Sequence, residues 1–220
     1  MERQLARWRA ALADGMPRRG WKVGVNVPEV QARVGLGHAL VGWLDGRRVH
    51  ASGARLEPPG GARWHVEPEL AIRVATAVDP AAGASGARAC IDGVAPALEI
   101  VDHARPAVDL ASLIEDDMFH AGCVVGVFCP ADAAAGLGTR WPVLRVGGRA
   151  APAPRADLVP ADLGALLHFA AELLARFGER LDAGDLLLSG SYLESAVALT
   201  PHCDARADFG PLGEVRVGIR

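Results

Sequence analysis

The chain has 220 residues, half of them hydrophobic and 22% charged, which is typical of one globular domain and excludes intrinsic disorder. Its net charge is −3 with acids and bases interspersed, so we expect no nucleic-acid partner. The sequence contains no apolar run long enough for a transmembrane helix, and its charged N-terminus is unlike a secretory signal. We therefore expect a cytoplasmic protein with no membrane partner.

Short apolar segments separated by glycine- and proline-rich turns dominate the pattern. Apolar residues at helical spacing predict a helix over residues 3–14 and a shorter one from Pro28 to Val34. A long amphipathic helix is predicted over residues 161–181, after two loops at 130–138 and 150–160. The predicted strands are residues 21–25, 40–44, 69–74, 97–101, 123–127, 185–189, 203–209 and 214–219.

The predicted strands outnumber the helices and are mostly joined by turns. This connectivity favours a β-rich α+β fold with mixed sheets over a doubly wound sheet. The sequence shows no internal repeat and no separable second domain, so residues 1–220 are predicted to form one domain. The four cysteines lack the spacing of a zinc site and are expected to be reduced thiols.

Lys22 is the only lysine among 23 basic residues. A lysine can supply a compact point charge to a pocket and shift its pKa when desolvated, whereas arginine stays charged and planar. A functional role for Lys22 and chance retention on the surface are both open on composition alone.

Two glutamates on one predicted strand suggest a metal site. Glu67 and Glu69 lie two residues apart, so their side chains share one face with Cα atoms about 7 Å apart, and His65 shares that face if the strand reaches it. Paired carboxylates suit a hard cation such as Mg²⁺ or Mn²⁺. A solvated strand face with alternating acids is the alternative.

Glu99 lies within an apolar segment, where a buried carboxylate needs a partner. A metal ion and an arginine are equally acceptable partners on local grounds. Asp102 is three residues further on and should face the other side of a regular strand.

Five motifs in order carry a family resemblance. They are Gly20-Trp21-Lys22-Val23-Gly24, Val66-Glu67-Pro68-Glu69-Leu70-Ala71, Pro96-Ala97-Leu98-Glu99-Ile100-Val101-Asp102, Leu188-Ser189-Gly190-Ser191 and Ala207-Asp208-Phe209-Gly210-Pro211-Leu212-Gly213. From about residue 20 onward the chain resembles the 2-keto-4-pentenoate hydratase / 4-oxalocrotonate decarboxylase branch of the fumarylacetoacetate hydrolase superfamily. The resemblance implies a catalytic domain built as a β-rich mixed-sheet roll or barrel with a few flanking helices. Its N-terminal helical segment, residues 1–18, is shorter than is usual for the family.

The resemblance also implies the chemistry of the site. Glu67, Glu69 and Glu99 correspond to ligands of Mg²⁺ or Mn²⁺, and Lys22 to a catalytic residue. The implied substrate is a small 2-oxo or 2-hydroxy acid, which reacts through a metal-stabilised enolate. Ser191 corresponds to a donor to the substrate carboxylate, although a serine satisfying its own turn is an equal alternative. We expect first a hydratase acting on a 2-hydroxydienoate, and alternatively a decarboxylase or a C–C hydrolase.

The sequence departs from the family pattern near two histidines. Leu40 replaces an acid that relatives often use in catalysis, and nearby His38 is a weak candidate to substitute for it. Asp117 and His120, in the segment where relatives carry Asp-Asn, are candidate acid–base groups, with a structural or surface role as the alternative. The family pattern predicts a homo-oligomer and allows association with a related decarboxylase subunit, as a non-catalytic partner.

Overall fold

The computed structural model describes residues 1–105, 107–137 and 142–220. Five α-helices occur in these ranges: α1 Glu2–Ala13, α2 Pro28–Val34, α3 Gly83–Ala89, α4 Leu110–Glu115 and α5 Leu163–Ala175. The same ranges contain thirteen strands: β1 Arg18–Gly24, β2 Leu40–Asp45, β3 Val49–Ala51, β4 Ala54–Leu56, β5 Trp64–Val74, β6 Ile91–Asp102, β7 His120–Val125, β8 Val143–Val146, β9 Arg149–Ala150, β10 Leu186–Leu188, β11 Val197–Ala198, β12 Asp204–Asp208 and β13 Glu214–Ile219.

The strands form two mixed sheets. The larger sheet has the order β2-β1-β10-β5-β6-β7-β3, and β11 also pairs with β5; the smaller has the order β4-β13-β12-β8-β9. One sheet curls into a half-barrel, and the α+β prediction with mixed sheets is confirmed. None of the described helices is both long and apolar enough to cross a bilayer.

The two faces of the larger sheet carry different side chains. On β5, Val66 and Leu70 alternate with Glu67, Glu69 and Ala71, because successive strand residues point to opposite faces. The face with Val66 belongs to the main hydrophobic core, which also contains the buried side of α5. The other face is built largely from small residues, including Ala71, Ala95, Ala97 and Cys123. This second face leaves room for the glutamates.

Several predicted boundaries were too narrow or too wide. The segments 69–74 and 97–101 are parts of strands of 11 and 12 residues, which Pro68 and Pro96 do not interrupt. The long helix covers only Leu163–Ala175. Asp162 defines its start as the N-cap, accepting a hydrogen bond from the Gly164 N–H at 2.8 Å. The predicted loop at 130–138 contains a 3-10 helix over Ala131–Gly136, and residue 138 lies outside the described residues.

Two short helices were missed by the sequence patterns. α4 begins with a capping box, in which Asp109 accepts from the Ser112 N–H at 2.7 Å and Ser112 Oγ accepts from the Asp109 N–H at 3.1 Å. α3 contains mostly alanine and glycine and packs against α5. Neither helix shows the apolar periodicity that identifies α1 and α5.

Candidate metal centre

Three glutamates converge on one face of the larger sheet. β5 and β6 run antiparallel with Glu67 directly opposite Glu99, and Glu69 follows two residues along the same face of β5. One carboxylate oxygen from each glutamate lies within 4.8 Å of the others. The strand register therefore brings together the three carboxylates that the sequence singled out.

A break in the sheet gives Glu69 a backbone donor. β10 and β11 pair with separate parts of β5, on either side of Pro68, which has no N–H to donate to a neighbouring strand. The segment that connects β10 to β11 passes over this gap. Gly190, in this connecting segment, donates its N–H to Glu69 Oε2 at 2.8 Å. Its φ of +87° and the close approach of Asn26, 2.9 Å from where a Cβ would lie, require glycine there.

Lys22 and His120 both contact Glu99. Lys22 Nζ lies 2.7 Å from Glu99 Oε1, and His120 Nδ1 lies 2.7 Å from the same oxygen. The side chains of Lys22 and Glu99 are 2% and 1% exposed, so this ion pair is shielded from water. The surface alternative for Lys22 is therefore wrong.

The three glutamates of this cluster differ in how readily they ionise. Burial alone would raise the pKa of Glu99, but the Lys22 ammonium and His120 hold it down at about 2. Burial and the neighbouring Glu99 carboxylate raise the pKa of Glu67 to about 7, and burial with the Glu99 and Glu67 carboxylates raises that of Glu69 well above its usual range. One lysine thus keeps only Glu99 fully ionised, and without a further cation the other two glutamates tend to hold protons.

The residues present fit a hard divalent cation. In the described part of the chain, Glu69 Oε1 is buried without a hydrogen-bond partner, which is costly unless something else binds it. A doubly charged ion would bind this oxygen and stabilise all three glutamates in their ionised forms. All the available donor atoms are carboxylate oxygens, the ligand type preferred by Mg²⁺ and Mn²⁺.

A cavity of about 510 Å³ opens beside the glutamates. Ser191 lines it, but its Oγ accepts from the Leu193 N–H at 3.1 Å and donates to the Leu193 carbonyl at 3.2 Å. Ser191 therefore satisfies its own turn, as the alternative interpretation expected, and its side chain also borders the cavity. His65 also lines the cavity, and its ring stacks on that of His103 with centroids 4.4 Å apart.

His38 lies away from this group. It is exposed, its ring packs edge-on against Phe169, and it does not belong to the described lining of the cavity. Leu40 is buried in β2 opposite Gly24 and is also absent from that lining. The hypothesis that His38 substitutes for an acid at position 40 is therefore not supported.

Two groups next to Lys22 were underrated by the sequence patterns. Asp117 is buried and the side chain of His120 is only 3% exposed, so the surface alternative for them is wrong. Asp117 accepts a hydrogen bond from Gln4 in α1, a contact spanning 113 positions that no local motif indicates. Burial raises the pKa of Asp117 to about 6, although the Lys22 charge acts against it.

Comparisons with known proteins identify the family of this chain. The family model described as fumarylacetoacetate (FAA) hydrolase C-terminal matches residues 21–220. A 4-oxalocrotonate decarboxylase from Pseudomonas sp is 29% identical over 200 residues, which cover 89% of this chain and 76% of that protein.

Solved structures show the same fold. The 4-oxalocrotonate decarboxylase from Pseudomonas putida G7, complexed with magnesium and adipate, superposes with a TM-score of 0.87 at 20% identity, covering 99% of this chain and 83% of that one. Fumarylpyruvate hydrolase from Pseudomonas aeruginosa, in complex with Mn²⁺ and pyruvate, superposes with a TM-score of 0.71 at 18% identity, covering 93% and 90%. Since the family model spans nearly the whole sequence, the chain belongs to the fumarylacetoacetate hydrolase family.

Proposed function

We propose that this protein is a divalent-metal-dependent lyase that decarboxylates an unsaturated 2-oxo dicarboxylic acid. The observation that carries the proposal is the convergence of three glutamate oxygens beside a buried ammonium group, with a cavity next to them. With a divalent cation held by the glutamates, such a site would present two cationic groups, the metal ion and the Lys22 ammonium, to an oxygen that becomes negative during the reaction.

Glu67, Glu69 and Glu99 would hold Mg²⁺ or Mn²⁺. The bound ion supplies a Lewis acid and a template for the 2-oxo acid group. The donor set and the partnerless Glu69 oxygen in the described chain support this assignment. The magnesium and Mn²⁺ complexes of the two related enzymes support it further.

Lys22 would stabilise negative charge on the substrate. Burial acts to lower its pKa, but the carboxylates of Glu99 and Asp117 overcome this effect and raise it, so the side chain stays an ammonium group. A permanently charged lysine is unsuited to act as an amine nucleophile. It is suited to electrostatic stabilisation of an oxyanion in a site that excludes water.

Decarboxylation is the activity named for the 29% identical relative, 4-oxalocrotonate decarboxylase, which supports choosing it over hydration. The C–C bond to the distal carboxylate breaks, its electron pair moves through the conjugated double bond to the 2-oxygen, carbon dioxide leaves and a proton is taken up later. This step needs an electron sink but no base to activate water. The chain carries Leu40 where the family pattern has an acid, so that acid is not available to activate water.

Hydration of a 2-hydroxydienoate is the second candidate, because the motif order also resembles hydratases and the Ser191 side chain borders the cavity. A non-catalytic partner subunit is the third. The single catalytic domain over residues 1–220, homo-oligomerisation and association with a related subunit stay predictions.

The decisive assay incubates the purified protein and Mg²⁺ or Mn²⁺ with 4-oxalocrotonate and, separately, with a monocarboxylic 2-hydroxydienoate. The proposal expects absorbance loss with one equivalent of carbon dioxide from the first compound. Loss of dienol absorbance from the second without carbon dioxide would favour the hydratase. No turnover of either by the protein alone would favour the partner role.

A further inference from the structure

Three consecutive residues have left-handed backbone conformations beside Lys22. Their φ angles are 52° at Asp117, 53° at Met118 and 65° at Phe119. None is glycine, and each such residue costs about 1–2 kcal/mol relative to a right-handed conformation. Conformations of this kind persist only where the surrounding structure enforces them. We refer to residues 117–119 as the Asp117 turn.

Hydrogen bonds to one carboxylate oxygen hold this turn. Asp117 Oδ1 accepts from Gln4 Nε2 at 2.7 Å and from the backbone N–H of Trp43 at 3.1 Å. Gln4 and Asp117 are 1% and 6% exposed, so water competes little for either bond. Charge-assisted bonds in such surroundings are among the stronger ones in proteins.

Two glycines make room for the turn. A Cβ at Gly42 would lie 2.5 Å from Asp117 Oδ1 and 2.8 Å from the terminal methyl of Met118. A Cβ at Gly24 would lie 2.7 Å from the Met118 sulfur. The turn therefore fits closely against β1, which carries Lys22, and against β2, which pairs with β1.

The Asp117 turn supplies part of the cavity wall. Met118 and Phe119 line the cavity that also contains Lys22 and the three glutamates, whereas Asp117 is not part of its lining. Phe119 packs edge-on against His103 at 5.0 Å, and His103 in turn stacks on His65. Displacing the turn would move this apolar and aromatic wall relative to the glutamates.

We infer that the Gln4–Asp117 hydrogen bond positions the Met118–Phe119 wall, and that this wall determines affinity for the tail of the substrate. Gln4 and Asp117 are positioning residues, since neither lines the cavity. The N-terminal helix α1 is thus part of the machinery that selects the substrate, although it lies outside the matched family segment. The identity of the ligand rests on the proposed function.

Ligand binding with Mg²⁺ present tests this inference by calorimetry. Oxalate serves as a probe without a tail and adipate as one with a tail. Gln4→Leu and Asp117→Ala are expected to weaken adipate binding about fivefold or more, which is about 1 kcal/mol, and oxalate binding by less than about twofold. Asp117→Asn keeps an oxygen acceptor for Gln4 and is expected to retain adipate affinity within about twofold.

Arg9→Ala is the matched control in the same helix. Arg9 pairs with Glu179 on the protein surface and does not contact the Asp117 turn, so its adipate affinity should equal that of the wild type. The inference would be overturned if Gln4→Leu lost affinity for oxalate and for adipate by the same factor. It would also be overturned if Asp117→Asn lost as much adipate affinity as Asp117→Ala. Wild-type protein that binds oxalate but not adipate would overturn it as well.

A second measurement does not depend on any ligand. The chain has three methionines, so a ¹³C-methyl spectrum contains a resolvable Met118 signal, assigned with Met118→Leu. Gln4→Leu should shift the Met118 signal, and the control Arg9→Ala should not. A Met118 signal that stays unmoved in Gln4→Leu would overturn the inference. If wild type binds neither acid, the proposed function fails, while this spectrum still decides whether Gln4 positions the turn.

Discussion

Replacing Lys22 by methionine tests the electrostatic role of the ammonium group. Methionine keeps the length and apolar stem of the side chain and removes its charge. A unit charge about 4 Å from a developing oxyanion contributes about 4 kcal/mol at an effective dielectric constant of 20. Loss of one such stabilising group typically lowers kcat by about 10²–10³-fold, and we expect that loss for Lys22→Met.

Metal binding separates this effect from damage to the site. Lys22 is not a ligand, and its charge lies 2.7 Å from a Glu99 oxygen, so removing it should not weaken Mn²⁺ binding. Steady-state decarboxylation and Mn²⁺ calorimetry are measured on the same preparation, with Arg19→Met as a control, because Arg19 is an exposed cation on the same strand. A kcat within about threefold of the wild type would refute the role assigned to Lys22. Loss of Mn²⁺ binding in folded protein would show that the effect passes through the metal instead.

Three further predictions follow from the site. Glu99→Gln should weaken Mn²⁺ binding by more than the roughly 10–100-fold loss typical of outer-shell partners. The control Asp92→Asn, at an exposed position on the same strand, should leave Mn²⁺ affinity unchanged. Equal Mn²⁺ affinities for Glu99→Gln and the wild type would remove Glu99 from the ligand set. The Tm of the metal-free protein should fall as pH rises from about 4.5 to 7. Burial raises the pKa of Glu67 to about 7, so in this window the folded state holds a proton that the unfolded chain has released. A Tm that rises over the same pH range would contradict this. Gly42→Ala should lower the free energy of unfolding, measured with urea, by about 1–3 kcal/mol, because the added Cβ would lie 2.5 Å from a buried carboxylate oxygen. Gly37→Ala is the control and should be neutral, because the space around Gly37 is open.

The sequence was sufficient for much of the site because its members follow strand periodicity. Glu67 and Glu69 share a face through the two-residue repeat alone, and Glu99 was recognised as a carboxylate needing a partner. Neither observation specifies register, so the direct opposition of Glu67 and Glu99 emerged only from the pairing of β5 with β6. Lys22 stood out by composition and motif, but its contact with Glu99 required the tertiary structure.

The wall of the cavity was beyond sequence reasoning for a physical reason. Left-handed residues are expected mainly at glycine, asparagine or aspartate, so Asp117 gave only a weak signal and Met118 and Phe119 gave none. The hydrogen bond that stabilises them comes from Gln4, more than a hundred positions away. His38 was weighed because it is close to Leu40 in sequence, yet its side chain packs against α5 instead.

The order of strands in the larger sheet has a consequence for how the protein acquires its site during folding. β10 lies between β1, which carries Lys22, and β5, which carries two of the glutamates, although it comes from the last fifth of the sequence. The Lys22–Glu99 contact therefore depends on insertion of a strand made late in synthesis between two made early. Such long-range pairing is slow to form. A nascent chain ending before residue 186 would lack this strand, so we expect selective metal capture only after the C-terminal region has folded, with the ion stabilising the finished protein and not its precursors.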